Sequence, residues 1–231
     1  MEIFYRISDA GYNKVKPDYI NNEKCLKNFT SVFVDNCHVN IVADNVSDET
    51  YDMICQYVEP SSVTKVSVGH GAGTFNLALD EALKLNDSQY VYFVENDYLH
   101  LPNSYDILKQ GLDLGFPYVT LYDHPDKYID PSLGGNPLCA GGAEVTRLYR
   151  TYSKHWKITN STTMTFAASV DNLKKDEKIL RKWTKHTHPD DFQMFLDLGR
   201  NSRKVISCVP AHSTHGETQW LAPMVDWSKY A

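Results

Sequence analysis

Two carboxylates one residue apart, Glu95 and Asp97, close the run Tyr90-Val91-Tyr92-Phe93-Val94-Glu95-Asn96-Asp97. The residues before them are apolar or aromatic and rich in Val and Tyr, the composition of a short buried strand. Charge at the end of such a strand is costly unless something compensates it. At the carboxyl end of a strand in an open α/β sheet, the pair would face the usual ligand crevice. Two acidic oxygens at this spacing suit a hard divalent cation and the phosphates it carries. Asp97 would then bind the cation directly, and Glu95 would reach it through water or touch a ribose. The competing reading is a polar strand end paired with Lys or Arg.

Four other groups have types and spacing that could join this chemistry. Asp9 and Asp44 each end an apolar strand. There an aspartate can accept from a nucleobase N–H or a ribose hydroxyl, or simply form an Asx cap. Gly69-His70-Gly71-Ala72-Gly73-Thr74 is neither G-x-x-x-x-G-K-[ST] nor G-x-G-x-x-G. Gly71 and Gly73 nevertheless allow close approach of backbone to a ligand, with helix N–H groups aimed at it. His188-Pro189-Asp190-Asp191 puts two acids in a helix's first turn, where they complement the helix dipole. One of them could also be a general base with a tuned pKa, deprotonating an acceptor hydroxyl. His212 and His215 follow the last strand and could lend an imidazole to a cation at Asp97. Mn²⁺ accepts such mixed oxygen and nitrogen ligands, whereas zinc lacks a Cys or third His nearby in the sequence.

The elements that must position these groups alternate. Apolar runs at 2–7, 39–43, 63–68 and 90–94 read as strands. Helical spacing follows each: Leu26, Phe29 and Phe33 after a cap at Asn22, then Tyr51, Ile54 and Val58 after a cap at Ser47. The third is Phe75, Ala78, Leu79, Ala82 and Leu83, and the fourth Tyr105, Leu108 and Leu112 behind Pro102. Four strand–helix repeats predict a mostly parallel sheet with helices on both faces, all polar strand ends lining one edge. After a strand at 118–122, the loop 123–142 holds three Pro and four Gly, too long to be idle. Thr- and aromatic-rich segments at 144–153 and 156–170 suggest antiparallel strands. Two helices follow, one through Leu173, Leu180 and Trp183 and one opened by residues 187–191. A strand at 204–209 precedes an irregular tail, 210–231. The expectation is one domain, 1–231, with a binding half at 1–115 and an acceptor half at 116–231.

The totals narrow the function classes. The chain has 231 residues and 42% hydrophobic content, enough for a real core. A net charge of −6 argues against a general nucleic-acid or anionic-membrane surface. Substrate phosphates must then be met by local Lys, Arg, backbone N–H groups or a metal. Five cysteines form no close sequence pair, which points to a reducing compartment rather than a disulfide scaffold. Residues 1–9 lack a signal-peptide apolar core, and no segment approaches the roughly 20 apolar residues of a membrane span. Cytoplasmic location is the expectation. Fifteen tyrosines would suit a sugar or base site, or an ordinary core.

Taken together, these residues resemble a GT-A-fold glycosyltransferase, similar to the family-2-like enzymes and to small glycosyltransferases of large DNA viruses. The parts that carry the likeness come in order: residues 3–9, 39–45, the helix start at 71–78, then Phe93-Val94-Glu95-Asn96-Asp97. The last looks like the D-x-D motif with Glu in its first place. Pro189-Asp190-Asp191 is similar to the acceptor-helix acidic motif, and Ser213-Thr214-His215-Gly216 to the late metal-binding histidine. The resemblance implies an α/β, Rossmann-like sheet with a small antiparallel addition, and a metal-dependent, inverting transfer from a nucleotide-sugar, UDP-sugar favoured, to a carbohydrate hydroxyl. Asp9, Asp44, Gly71, Glu95 and Asn96 would line the nucleotide-sugar. Glu95 and Asp97 would hold Mn²⁺ or Mg²⁺ on the diphosphate, completed by His215 or else His212. Asp191, or else Asp190, would be the base. The loop 123–142 could close over substrate, and Trp156, Tyr128 or Trp220 could stack on a sugar. A viral chain of this kind would work in the host cytoplasm. Two other classes stay open: a sugar-phosphate nucleotidyltransferase, which would release pyrophosphate, and a non-catalytic binding module.

Overall fold

A computed structural model describes residues 1–12 and 14–231. Its frame is a nine-stranded sheet built from both halves of the chain. The first half supplies β1 (Glu2–Ser8), β2 (His38–Asp44), β3 (Val63–Val66) and β4 (Tyr90–Glu95), which lie side by side in the order β3-β2-β1-β4, all parallel. The second half adds β6 (Tyr118–Thr120), β7 (Leu148–Arg150), β8 (His155–Thr159), β9 (Phe166–Ser169) and β10 (Val205–Val209), continuing the order β9-β6-β10-β8-β7. Only β9 and β8 run against the other seven strands. The sheet is therefore mostly parallel, and each of its antiparallel pairings involves a strand of the C-terminal half, β9 or β8, as the alternation of elements predicts.

Strand alternation sorts the side chains onto two faces. Ile3, Tyr5 and Ile7 of β1, with Tyr92 and Val94 of β4, pack with Leu26, Phe29 and Phe33 of α1 (Asn22–Phe33) and Leu108 of α4 (Ser104–Leu112). Phe4 and Phe93 point the other way. They join Phe75 of α3 (Gly71–Ala82), Leu173 of α5 (Val170–Trp183) and Phe195 of α6 (Asp191–Arg200). The Phe75, Phe93, Phe166 and Phe195 rings meet at centroid separations of 5.0–6.1 Å. Each such ring, fully buried, contributes roughly 1.5–3 kcal/mol of transfer free energy. Beyond Phe4, the next residue of β1 on this second face is Arg6, a charge in an otherwise apolar row, and it lies opposite Glu95 across the parallel register of β1 and β4.

Local rules account for most boundaries. Ser47 caps α2 (Asp48–Ile54) through Thr50 N, as its side chain predicts. The cap of α1 is Asn21 rather than Asn22, whose amide is free to reach Ser8 O instead. His70 caps α3, so that helix begins at Gly71, earlier than its apolar spacing alone shows. The tail holds more order than expected. Ser213–His215 forms β11, which pairs antiparallel with β5 (Tyr98–His100) as a separate two-stranded sheet. Both strands have three residues, too few for any period to register in the sequence.

Candidate functional site

The carboxyl ends of β1, β2 and β4 and the N-terminus of α3 enclose a pocket of about 320 Å³. Its lining includes Arg6, Asp9, Tyr12, Lys14, Lys16, Asp44, Gly71, Glu95, Asn96 and Asp97. All five residues expected to meet a nucleotide-sugar are on this wall, together with Asp97. This is the crevice that the strand-end argument selects.

The small sheet carries the closing piece. In the β5–β11 register His215 lies opposite Tyr98, one residue past Asp97. His215 Nε2 is thereby 3.4 Å from Asp97 Oδ2. Gly216 is what permits this approach: a Cβ there would stand 2.7 Å from the Asp97 carbonyl oxygen and 2.5 Å from Ile20 Cγ2. His212 goes elsewhere. Its carbonyl accepts from Ser104 Oγ at 2.9 Å, its ring nitrogen Nδ1 is 3.5 Å from the same hydroxyl, and burial pushes the imidazole down to about 4. His212 lies before the strand Ser213–His215 and is held against Ser104, so only His215 joins Asp97.

Asp97 is buried among cations of the protein itself. Lys16 Nζ lies 3.0 Å and Lys14 Nζ 3.5 Å from Asp97 Oδ2. Lys14 Nζ also stands 2.9 Å from His215 Nε2. Burial alone would raise the Asp97 carboxyl, but His215, Lys14 and Lys16 hold it well below the usual carboxylate range. Glu95 Oε1 is 3.5 Å from Arg6 Nη2. Arg6 also donates to Gly71 O at 2.9 Å and Met164 O at 3.3 Å, while its buried Nε has no partner among the described residues.

The Mn²⁺ or Mg²⁺ implied by the resemblance does not fit this donor set. The oxygen that would bind the ion already faces two ammonium groups, and the imidazole nitrogen faces one of them. Among the described residues no group of three or more His, Cys, Asp or Glu is placed to hold an ion. The reading of a strand end paired with Lys and Arg describes Glu95 and Asp97 as they stand.

Asp9 and Asp44 do structural work. Asp44 is buried and accepts from Val68 N at 2.7 Å and from Gly69 N at 2.9 Å, holding the turn in which Gly69 takes φ +81°. Asp9 accepts from Ser47 N at 2.7 Å and from Thr50 Oγ1 at 2.8 Å, at the head of α2. Both carboxylates still line the pocket, but they already accept hydrogen bonds, and these run to distant loops and the head of α2 rather than to an Asx turn of their own. Asn96 donates to Asn22 Oδ1 at 2.6 Å, tying the β4–β5 turn to α1.

The acidic doublet separates by role. Asp190 is the N-cap of α6, its Oδ1 accepting from Gln193 N at 3.1 Å. Asp191, half-buried, is the free member. Its carboxyl is pushed up to about 7, by burial first and then by the negative charge of Glu95. A carboxylate at that value can take a proton near neutral pH. Replacing Glu95 by Gln removes one cause of the shift. We expect the Asp191 pKa in Glu95→Gln to fall below 7, read as an acid-ward move of its carboxyl resonance in an NMR titration.

Of the aromatic residues expected to stack on a sugar, Trp156 cannot. It is fully buried beneath α4, where its Nε1 donates to Thr151 Oγ1 at 3.1 Å. Tyr128 is half-exposed in the loop 123–142, and Trp220 packs beside His124 at 5.1 Å. That loop is pinned by three short 3-10 turns and by Lys157, whose ammonium meets Asp123 at 2.8 Å and Glu144 at 3.1 Å.

No family model matches the sequence, and no curated protein sequence matches it. Solved structures match in fold. S. aureus TarS 1–349 in complex with UDP-GlcNAc aligns with a TM-score of 0.53 at 12% identity, over 92% of this chain and 58% of TarS. The CMP:2-keto-3-deoxy-manno-octonic acid synthetase in complex with CTP aligns at 0.50 and 11% identity, over 90% of this chain and 91% of its own. The galactosyltransferase LgtC, with donor and acceptor sugar analogues, gives 0.49 at 12%, over 90% and 73%. The chain spans a little over half the length of the TarS fragment it matches. Its architecture is GT-A-like, and no helix is long and apolar enough to cross a membrane.

Proposed function

We propose that this protein moves a sugar from a nucleotide-diphosphate sugar to an acceptor hydroxyl, with Asp191 as the base and inversion at the anomeric carbon. The observation that carries the reading is the Asp191 carboxyl, raised to about 7 on the helix whose approach, Thr187 O, accepts from Ala72 N at the edge of the pocket. Residues 1–115 would hold the donor and residues 116–231 would shape the acceptor side. The acceptor oxygen attacks the anomeric carbon as Asp191 takes its proton. The bond from that carbon to the phosphate oxygen breaks, and the electron pair leaves with the nucleoside diphosphate. A single displacement of this kind inverts configuration. The likeness in fold to TarS, solved with UDP-GlcNAc, favours a UDP-sugar as donor.

The similar alignment to a synthetase solved with CTP favours a second reading, sugar-phosphate activation by a nucleotide. Products separate the two. The protein is incubated with UDP-, GDP-, dTDP- and CMP-sugars, and separately with nucleoside triphosphates and sugar phosphates. Slow release of nucleoside diphosphate from a UDP-, GDP- or dTDP-sugar, with a sugar inverted at its anomeric centre, is the expected result; CMP release from a CMP-sugar would change the donor class. Pyrophosphate release from the triphosphate arm would replace transfer with nucleotidyl activation. Products in neither arm would leave a binding module.

A further inference from the structure

Between β1 and α1, Tyr12 and residues 14–16 lie at the pocket and are tied at two places. Tyr12 stacks on His188 at 4.2 Å and an interplanar angle of 25°, with its hydroxyl 3.4 Å from Thr187 O. Val15 O accepts from Thr218 N at 2.8 Å. Of these residues, Lys14 and Lys16 are directed inward onto one oxygen of Asp97. Of the four carboxylates that line the pocket, Asp9 and Asp44 are engaged by backbone N–H groups, and Glu95 and Asp97 are the two that pair with Arg6, Lys14 and Lys16. Arg6 is committed to Glu95 and to two backbone carbonyls. Two ammonium groups thus converge on a single carboxylate oxygen, and the flexible lysine stems allow them to turn.

We propose that Lys14 and Lys16 take the place of a divalent ion. On donor binding they turn from Asp97 to the diphosphate, and Asp97 with His215 is their resting counter-ion rather than a metal shell. This inference rests on the transfer reading above. As the anomeric carbon–oxygen bond breaks, the electron pair stays on the departing phosphate oxygen. The lysine N–H groups meet it through charge-assisted hydrogen bonds, the service an ion would otherwise provide. These two residues would thus carry the pocket's electrophilic charge.

The test is calorimetric binding of UDP, GDP and dTDP to the full chain, in EDTA and in Mn²⁺. At least one diphosphate should bind in EDTA with an affinity close to that in Mn²⁺. The Lys14→Met/Lys16→Met variant should weaken it by about tenfold or more, the loss of roughly one charge-assisted contact. The Lys14→Arg/Lys16→Arg variant should retain it. Asp97→Asn separates the two roles by sign: a counter-ion's removal leaves binding unchanged or tighter, whereas a metal ligand's removal weakens it. Binding that requires Mn²⁺, falls in Asp97→Asn and ignores the lysine pair overturns the inference while leaving the transfer reading intact. No diphosphate binding in either buffer overturns both.

Discussion

Asp191→Asn lowers kcat by about 10²–10⁴-fold, the usual yield of a positioned general base, while donor binding changes little. The reason is position. Asp191 is the member of the doublet that burial and Glu95 bring to about 7, and Asp190 spends its carboxylate on Gln193 N. In the unsubstituted protein the base is active when ionised, so kcat rises with pH through about 7. That rising limb disappears in Asp191→Asn. Asp190→Asn keeps a capping oxygen and should leave kcat near its starting value. A large loss in Asp190→Asn with none in Asp191→Asn would move the base by one residue.

The same shift makes a stability prediction of definite sign. Asp191 is raised in the folded protein relative to an ordinary carboxylate near 4. Between about 4 and 7 the folded state holds a proton that the unfolded chain has released, so stability falls as pH rises through that window. Above it the folded protein carries the full cost of an ionised, partly buried carboxylate. Asp191→Asn should therefore be more stable than the starting protein at pH 8 and no more stable at pH 4. Activity and stability moving in opposite directions at one residue would mark it as part of the site rather than the scaffold.

The strand-end logic was readable because it depends on local pattern. Apolar runs ending in Asp44 and Glu95 place those groups on one edge of a parallel sheet without tertiary knowledge, and the first four strands lie where that pattern predicts. The partners of Asp97 were not readable in the same way. His215 reaches it through two three-residue strands that carry no period, and Lys14 and Lys16 reach it from residues held by Tyr12 on His188 and by Val15 on Thr218. Nothing in Lys14-Val15-Lys16 itself announces an inward turn. The histidine pair is a further case. His215 is the last residue of the tail strand and His212 falls in the bend before it, against Ser104, so their spacing in the sequence did not say which would reach Asp97. Asp9 and Asp44 show how one residue type serves two uses: an aspartate that could bind a ribose here satisfies backbone N–H groups of a neighbouring loop, Ser47 for Asp9 and Val68 and Gly69 for Asp44, and only the fold shows which it is doing.

Arg6 carried a signal that can be used in retrospect, a cation within the apolar run Ile3-Phe4-Tyr5-Arg6-Ile7, and its replacement should have the largest structural effect of any in the pocket. Arg6 is 5% exposed and Glu95 26%. Removing one partner of a buried ion pair typically costs 3–5 kcal/mol, and solvent at Glu95 screens part of that. Arg6→Met also takes the guanidinium donor from the buried Met164 carbonyl, while Gly71 O keeps the Thr74 hydroxyl. The expected loss is about 2–4 kcal/mol, or roughly 4–16 °C in melting temperature for a chain of this size. Arg6→Lys should not restore it, because a single ammonium cannot span three acceptors as a planar guanidinium does. With Arg6 gone, the Glu95 charge acts on Asp191 unopposed, and the Asp191 pKa should climb above 7, opposite to its direction in Glu95→Gln. The Arg6→Met/Glu95→Gln double variant removes the stranded charge and should recover part of the lost stability, a non-additivity expected of directly contacting residues. Additive losses, with the Asp191 titration unmoved in all three variants, would show that Arg6 and Glu95 neither pair nor tune the base.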